Sequence, residues 1–486
     1  MKHTLFLMFI FSILSAHSQT LNFPIDTIAR DDFYNYRSMI KHDVNGNLHI
    51  VNSRQLGTNS STREVFYRTN ISGHFDTTQL SNNTIDDNYA TFDFDKNNNV
   101  HIGWERRDAS NNFQVVYANN IADTFSAPVW ITSGGLNKAT PSIAVGKDSL
   151  AHFVYLTFVT GQDFAFYRTY NFISHTLNAE INLGAMEASS ENDIEVAVDS
   201  NNRVHIVFAA NGALSTSALK YFNNESGTLT EYSTPQTAYT EYPDILIDKN
   251  NTLHIIYRVS TDKRIYTIER PAGGNFTAPK PVTPASVGNP SYWRAFDTDD
   301  EGRLYVTYQN SVSSGAKGIF LVHRKNGSFS APILVFEDSS GQYVTRGSSS
   351  VAAQGNGEIA VLFDVAGARN GQVFSDMFLK KGTLIFTDVV ENEIQRELAF
   401  VLFENYPNPF NPKTAIGFSL LAVGNVSLKV FDVLGSEVAT LLNNETLEAG
   451  EHNIQFDASL FSSGIYFYRL NVDGKFSETK KMMLLK

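Results

Sequence analysis

Residues 198–208 read VDSNNRVHIVF, and nearly the same phrase returns at 94–104, FDKNNNVHIGW, and at 247–257, IDKNNTLHIIY. Each has an apolar lead-in, an Asp, small polar residues suited to a turn, and then a β-favouring run with a His near its start and an aromatic at its end. Aligning the whole chain on this pattern gives copies beginning at residues 43, 95, 146, 199, 248, 299 and 354. A period of about 50 residues points to a propeller blade or a related array.

Each unit contains the parts of a four-stranded antiparallel sheet. An alternating strand leads in, as in IEVAVD (194–199), and a short Asx/Gly turn follows. The second strand ends on an aromatic in six of the seven copies. About a dozen residues later a third strand carries Tyr67, Tyr117, Tyr167, Tyr221 or Tyr266. A fourth follows a Gly/Asn turn, as in TFSAPVWI (124–131), NFTAPKPV (275–282) and SFSAPILV (328–335). The pattern predicts an all-β fold, with a seven-bladed β-propeller over residues 19–388. Two segments can supply the closing strand, LNFPIDTIA (21–29) and GTLIFTDVV (382–390), so six or eight blades are alternatives.

The recurring Asp can accept hydrogen bonds from backbone N–H groups two residues on, which accounts for its recurrence without a ligand. The His at 49, 101, 152, 205 and 254 looks like a metal ring until spacing is considered. Packed sheets stand about 10 Å apart, whereas zinc needs its nitrogens at about 2 Å. These His are therefore expected to pack between blades, each with one polar contact. DTDDEG (297–302) begins like a calcium loop, but its twelfth position is Tyr308 instead of Glu. No metal and no cofactor are expected. The turns loosely resemble the aspartate boxes of sialidases, yet no copy holds the Ser, Asp, Gly and Trp of those boxes in order, and the Arg-Ile-Pro motif is absent.

Composition narrows the setting. The 486-residue chain has 36 Phe and 21 Tyr, enough for several packed cores. It has no Cys, which excludes disulfides, thiolate metal sites and a Cys nucleophile. A formal charge of −12 disfavours nucleic acid and anionic lipid as general partners. The first residues, MKHTLFLMFIFSILSAHSQT, place Lys2 and His3 before an apolar run from Leu5 to Leu14 and then small residues. Residues 1–18 are predicted to be a secretory signal peptide; the run is too short to span a bilayer, and no other segment is long and apolar enough.

Past residue 388 the period stops. Residues 389–403 read as a linker, and the last 83 residues carry a different set of motifs. They are Tyr406-Pro407-Asn408-Pro409-Phe410-Asn411-Pro412, the strand-turn LKVFDVLGSEV (428–438), Ser463-Gly464-Ile465-Tyr466-Phe467-Tyr468-Arg469-Leu470 and the closing Thr479-Lys480-Lys481-Met482. Three prolines predict an extended entry strand, Gly435 and Gly464 permit tight turns, and about seven short strands predict a small β-sandwich. Residues 404–486 closely resemble the type A C-terminal sorting domain of the bacterial type IX secretion system, with Gly435, Gly464, Tyr466, Lys480 and Lys481 among the motif residues. The resemblance implies passage to the periplasm of a Gram-negative bacterium and recognition by the outer-membrane machinery. It also implies removal of the domain, with release or attachment at the cell surface.

A ligand site is expected where the repeat breaks. In a propeller the turns between first and second strands lie on one face, and the variable loops around the channel lie on the other. At the mouth of the first strand stand Arg37, Tyr89, Thr140, Asp193, Tyr242, Trp293 and Ser348, with Glu195, Glu241, Asp244, Tyr292, Arg294 and Arg346 beside them. Aromatic planes next to carboxylates and guanidiniums suit a sugar. Arg37, Tyr89, Asp193, Tyr242, Trp293, Arg294 and Arg346 are the candidate residues for an extracellular glycan or protein ligand. A glycan-active enzyme, hydrolase or lyase, is the alternative, with Asp193 and Asp244 as acid and base.

Overall fold

The computed structural model describes residues 23–29, 35–55, 62–159, 162–186, 193–210, 219–236, 238–287, 290, 292, 294–311, 317–325, 327–337, 343–369, 372–384, 400–420, 423–448, 450–472 and 476–486. The predicted signal peptide, residues 389–399 of the predicted linker and the side chains of Trp293 and Arg346 lie outside them. The chain divides into two compact units, residues 1–384 and 385–486. Both are β structures, and no α-helix occurs among the described residues.

In the first unit the described residues form seven antiparallel sheets, six of them each built from one repeat. Sheet 1 runs Asn35–His42, Leu48–Gln55, Arg63–Thr69, Asp76–Gln79 in spatial as in chain order. Sheets 2, 4, 5 and 6 follow suit, starting from Asp87–Phe94, Ile194–Val198, Thr240–Ile247 and Phe296–Thr298. Sheet 3 starts from Lys138–Val145, and its third strand pairs with two further strands, Thr176–Leu177 and Ile181–Met186. Sheet 7 starts from Tyr343–Ala353 and takes its fourth strand from the other end of the unit: Ile25–Ala29 pairs with Gln372–Thr383. Of the two closing candidates the N-terminal one therefore fills this place, and Gly382 and Thr383 end the third strand instead. The fourth strands Val129–Trp130 and Lys280–Pro281 are two residues long, as expected of segments with a proline, which cannot donate to a ladder.

Apolar layers lie between successive sheets. Val51, Val65 and Tyr67 of sheet 1 pack on Phe92, Ile102 and Trp104 of sheet 2. At the closure, Ile40, Leu48 and Ile50 of sheet 1 pack on Leu362, Met377 and Leu379 of sheet 7. This is a propeller-type arrangement, with the first strand of each repeat innermost.

The turns are more elaborate than the sequence reading. Asp43 Oδ1 accepts from the backbone N–H groups of Asn45 and Asn47 at 2.9 and 2.8 Å. The pattern recurs at Asp95, Asp199, Asp248 and Asp299 with distances of 2.8 or 2.9 Å. The fourth turn residue is left-handed, with φ of 69° at Asn98, 62° at Asn202 and 58° at Asn251. Asn tolerates that conformation, and here its side chain also reaches the preceding turn. Asn98 Nδ2 donates to Asp43 at 2.9 Å, Asn202 Oδ1 accepts from Lys147 N at 2.7 Å, and Asn251 Oδ1 from Ser200 N at 3.0 Å.

The five repeated His are buried. Their expected single contact lies within their own sheet: His49, His101, His152 and His205 meet Tyr67, Tyr117, Tyr167 and Tyr221 through Nδ1 at 2.5 to 2.7 Å. Their other nitrogen faces the turn Asp in three of these, as His49 Nε2 does with Asp43 at 3.3 Å. His254 instead contacts Asp248 at 3.3 Å. In sheet 6 Tyr305 takes the His position and its hydroxyl donates to Asp299 at 2.9 Å. Ring packing also crosses between sheets, as His101 does on Phe172 at 4.5 Å.

The second unit packs a three-stranded sheet (Phe400–Leu402, Lys413–Leu420, Gly450–Asp457) on a four-stranded one ordered Glu437–Leu447, Gly424–Phe431, Gly464–Val472, Phe476–Leu484. Its core joins Ile416, Phe418 and Phe456 to Val426, Leu428, Tyr468 and Met482. Phe400–Leu402 belongs to the predicted linker stretch yet pairs with Lys413–Leu420. The proline segment 404–412 makes only single bridges, Tyr406 to Ala415 and Phe410 to Leu484, and no extended strand. The Tyr468 hydroxyl holds its entrance, donating to Phe403 O at 2.8 Å and accepting from Asn405 N at 3.0 Å.

Candidate functional site

The innermost strands carry a shared irregularity where the sequence stops repeating. Register shifts by a bulge occur between Tyr36 and Met39, Asn88 and Thr91, Ala139 and Ser142, and Glu241 and Asp244. At these bulges Arg37, Tyr89, Thr140 and Tyr242 have φ of 48°, 52°, 52° and 51°, and Arg294 has 45°. A left-handed backbone is costly for side chains of this size and persists where surrounding structure imposes it. A bulge also re-aims the side chain it carries.

Two guanidiniums link distant sheets at this end of the channel. Arg37 of sheet 1 lies 3.8 Å over the ring of Tyr89 in sheet 2 and 3.8 Å from Asp193 in sheet 4. Arg294, ahead of sheet 6, donates through Nε to Glu195 of sheet 4 at 2.8 Å and through Nη2 to Pro141 O of sheet 3 at 3.1 Å. Tyr242 forms a neighbouring group: its carbonyl accepts from the Tyr292 hydroxyl at 2.5 Å, and Arg258 lies 4.9 Å over its ring while pairing with Glu241. The sequence candidates thus fall into three described clusters: Arg37 with Tyr89 and Asp193, Arg294 with Glu195, and Tyr242 with Tyr292.

The carboxylates here are perturbed. Burial pushes Asp193 up, opposed by Arg37 and Arg294. Burial also raises Glu195, opposed by Arg294. Asp244 is held well above the ordinary range by burial and then by the neighbouring Glu195, with Arg294 opposing. Glu105, which accepts from Thr140 N at 3.1 Å, is raised to about 7 by burial.

Below the Arg294–Glu195 pair a cavity of about 580 Å³ runs down the channel to the turn face. It is lined by residues from the first strands of all seven sheets and by Arg294 ahead of sheet 6, and it includes Lys41, Asp93 and Asp297. Sequence reasoning missed Lys41 and Asp93 and met Asp297 only as the head of the DTDDEG stretch. The available signal was a charge at the same place, two residues before the turn Asp, in three of the seven repeats. Among the described residues, no group of three or more His, Cys, Asp or Glu is arranged to hold a metal ion.

The sorting-motif residues fall on exposed or edge features of the second unit. Gly435, with φ of 82°, turns the Gly424–Phe431 strand into its neighbour. Gly464 opens a strand, Tyr466 donates to Ser462 O at 2.9 Å, and Lys480 pairs with Glu404 at 3.1 Å. Lys481 lies on the last strand, opposite Phe467.

Fold and motifs together define an exported all-β protein made of a propeller-type repeat unit and a small sandwich. Residues 404–485 match the family described as the secretion system C-terminal sorting domain, and this part of the chain is a type IX sorting domain. It implies engagement of that secretion machinery, with secretion or attachment at the outer-membrane surface. Among the described residues no helix is long and apolar enough to cross a membrane. No curated protein matches the chain. Similar solved structures include an ulvan lyase of polysaccharide lyase family PL25, 10% identical with a TM-score of 0.48, the match covering 73% of this chain and 98% of that one. A protein of unknown function from Dyadobacter fermentans is 11% identical with a TM-score of 0.41, covering 73% and 97%. An oligogalacturonate lyase in complex with manganese is 8% identical with a TM-score of 0.46, covering 77% and 96%.

Proposed function

We propose that the propeller unit binds an extracellular glycan or protein at the bulged end of its channel, through Arg37, Tyr89, Asp193, Tyr242, Trp293, Arg294 and Arg346, without metal or cofactor. The signal peptide would deliver the chain to the periplasm before the sorting domain is read, and the mature propeller would act outside the cell. The observation that carries this reading is the recurrent left-handed bulge. The same backbone device presents Arg37, Tyr89, Thr140 and Tyr242, three residue types on four sheets, where the rest of the repeat is kept. A rigid scaffold with varied residues at one rim is how loop-bearing folds build specificity. Stacking rings beside charged groups give that rim both an apolar plane and directed hydrogen bonds. A glycan and protein array probed with the full chain tests it. A specific ligand lost on Tyr89→Ala is expected, and a ligand retained by Tyr89→Ala, Tyr242→Ala and Trp293→Ala together contradicts the assignment.

A glycan-active enzyme, hydrolase or polysaccharide lyase, is the second reading. It is favoured by the burial that raises the Asp193 and Asp244 carboxyls, which is the direction a general acid requires. Release of reducing ends or of unsaturated sugar from a bound polysaccharide, abolished by Asp244→Asn, would replace the binding reading with this one.

A further inference from the structure

We propose that one end of the second unit is a membrane-docking surface whose Leu434 and Leu460 enter a zwitterionic lipid surface. Three separate segments meet at that end. The strand Gly424–Phe431 runs into a turn at residues 432–436, Gly450–Asp457 runs into a crossing at 458–463, and Phe476–Leu484 runs into Leu485 and Lys486. Register brings them together: Phe431 lies opposite Phe467, Gly464 opposite Leu484, and Lys413 opposite Asp457. Lys486 ties the chain end to the crossing, donating from its backbone to Ser463 Oγ at 3.0 Å and from Nζ to Ser459 O at 2.6 Å. The apolar side chains here stand in solvent: Val433 is 64% exposed, Leu434 87%, Leu460 97% and Leu485 52%.

Rigid turns hold these side chains outward. Asp432 Oδ1 accepts from Leu434 N and Ser436 N, both at 2.9 Å, and Gly435 is left-handed with φ of 82°. This is the Asp-capped turn of the propeller repeat. In the five such turns that join first and second strands there, Val44 is the one apolar tip residue; the others are polar, as in Lys96-Asn97 and Asp300-Glu301. The turn geometry therefore does not call for Val433 and Leu434. At the crossing, Phe461 N donates to Ala458 O at 3.0 Å and the Phe461 ring packs on Phe456 and Tyr466. Its neighbour Leu460 is left pointing out. A leucine standing in water contributes nothing to this fold, whereas its transfer to an apolar phase is favourable. Single exposed leucines are ordinary, but several on one end mark a contact surface.

A lipid surface fits this end better than a protein pocket. The turn at 432–436 belongs to the four-stranded sheet and the crossing at 458–463 leaves the three-stranded one. The tips are thus spread over the end of the sandwich, and a fluid apolar phase accepts them without matching hollows. Tyr406, 83% exposed, stands beside them through its bridge to Ala415, and Lys486 ends the chain. A phenol and an ammonium on a long stem suit the layer between headgroups and acyl chains. The sorting-domain assignment takes this unit to the outer membrane. The formal charge of −12 selects zwitterionic over anionic lipid. Insertion of loop tips needs no spanning segment and is reversible.

The test is flotation of the exported chain, residues 19–486, with phosphatidylcholine vesicles in 0.15 M and 0.5 M salt. Flotation with the vesicles at both salt concentrations is expected. Leu434→Ser and Leu460→Ser should each lower the partition coefficient about tenfold, the scale of one leucine withdrawn from an apolar phase. The double variant should stay with the unbound protein. Val44→Ser, at an 84% exposed residue on the same kind of turn in the first unit, should change nothing. Leu434→Trp guards against a folding artefact: it should keep binding, and its fluorescence should shift to the blue with vesicles. Loss of flotation at 0.5 M salt would mean adsorption by charge and would overturn the proposal, as would equal flotation of wild type and the double variant. Absence of wild-type flotation overturns it too. Capture instead by isolated outer membranes, lost once their proteins are digested, would give the surface to a protein partner.

Discussion

Arg294→Gln removes the cation on which the channel network depends. The Arg294 side chain is 7% exposed and that of Glu195 is 6% exposed, so their contact is shielded from solvent. The substitution deletes the pair to Glu195 and the bond to Pro141 O, and it leaves Glu195 beside Asp193 and Asp244 without a counter-charge. Removing one partner of a buried pair costs about 3–5 kcal/mol, because the survivor remains buried and charged. The loss has a pH signature. With Arg294 gone, Glu195 and Asp244 are driven further toward their protonated forms, which need no counter-charge. The variant should therefore be penalised most at pH 8 and least near pH 5. Thermal unfolding of both proteins across that range reads the effect. The double variant Arg294→Met with Glu195→Leu, which removes both charges, should recover most of the loss. A deficit below about 0.5 kcal/mol at pH 8, the usual scale of a surface substitution, or one that does not change with pH, would refute the buried-network argument.

Other outcomes follow from the same reasoning. His152 is neutral in the fold, its pKa lowered to about 4 by burial from an ordinary 6.5. The unfolded chain therefore takes up the proton first, and stability should fall by about 3 kcal/mol as pH drops from 6.5 to 4; His152→Gln should show a shallower decline in the same denaturation series. Glu105, raised to about 7 by burial, has the opposite sign: the fold loses stability as pH rises from 4.5 through 7, so Glu105→Gln should gain on the wild type between pH 5 and pH 8 in calorimetric scans. Asp199→Ala strips the acceptor from the Asn201 and Arg203 N–H groups and should cost about 1–3 kcal/mol, whereas Asp199→Asn keeps an oxygen there and should cost less. Deleting residues 404–486 should leave the protein in the periplasm on cell fractionation, with the propeller unit still resistant to limited proteolysis.

The repeat was legible because every unit needs the same local chemistry. An Asp must satisfy turn N–H groups, a small or amide residue must turn left-handed at positions such as Asn98 and Gly302, and an aromatic must fill the inter-sheet layer. The second role of Asn98, Asn202 and Asn251 as clasps was not legible, since their partners lie 51 to 55 residues away on another sheet. The rim candidates were found because they break the repeat, but their grouping could not be read. Arg294 meets Glu195 and Pro141 at separations of 99 and 153 residues, and only ring closure brings them together. Lys41 and Asp93 were not legible for a different reason: each sits within an inner strand, away from the turns and the rim, and Asp297 entered only as the first residue of the DTDDEG turn stretch. The proline segment at 404–412 misled because fixed φ angles suit extended chain, yet its backbone bends between isolated bridges to Ala415 and Leu484.

The central claim is that ligand binding belongs to the bulged end of the channel. Calorimetric titration of the ligand found by array tests it most directly, comparing the full chain with Tyr89→Ala at that end, with the sequence candidate Trp293→Ala, and with Lys96→Ala at the opposite, turn end. The account predicts that each rim substitution weakens binding by about tenfold, the scale of one lost stacking contact of about 1–1.5 kcal/mol, while Lys96→Ala changes nothing. Equal affinity for wild type, Tyr89→Ala and Trp293→Ala, or a loss confined to Lys96→Ala, would contradict it.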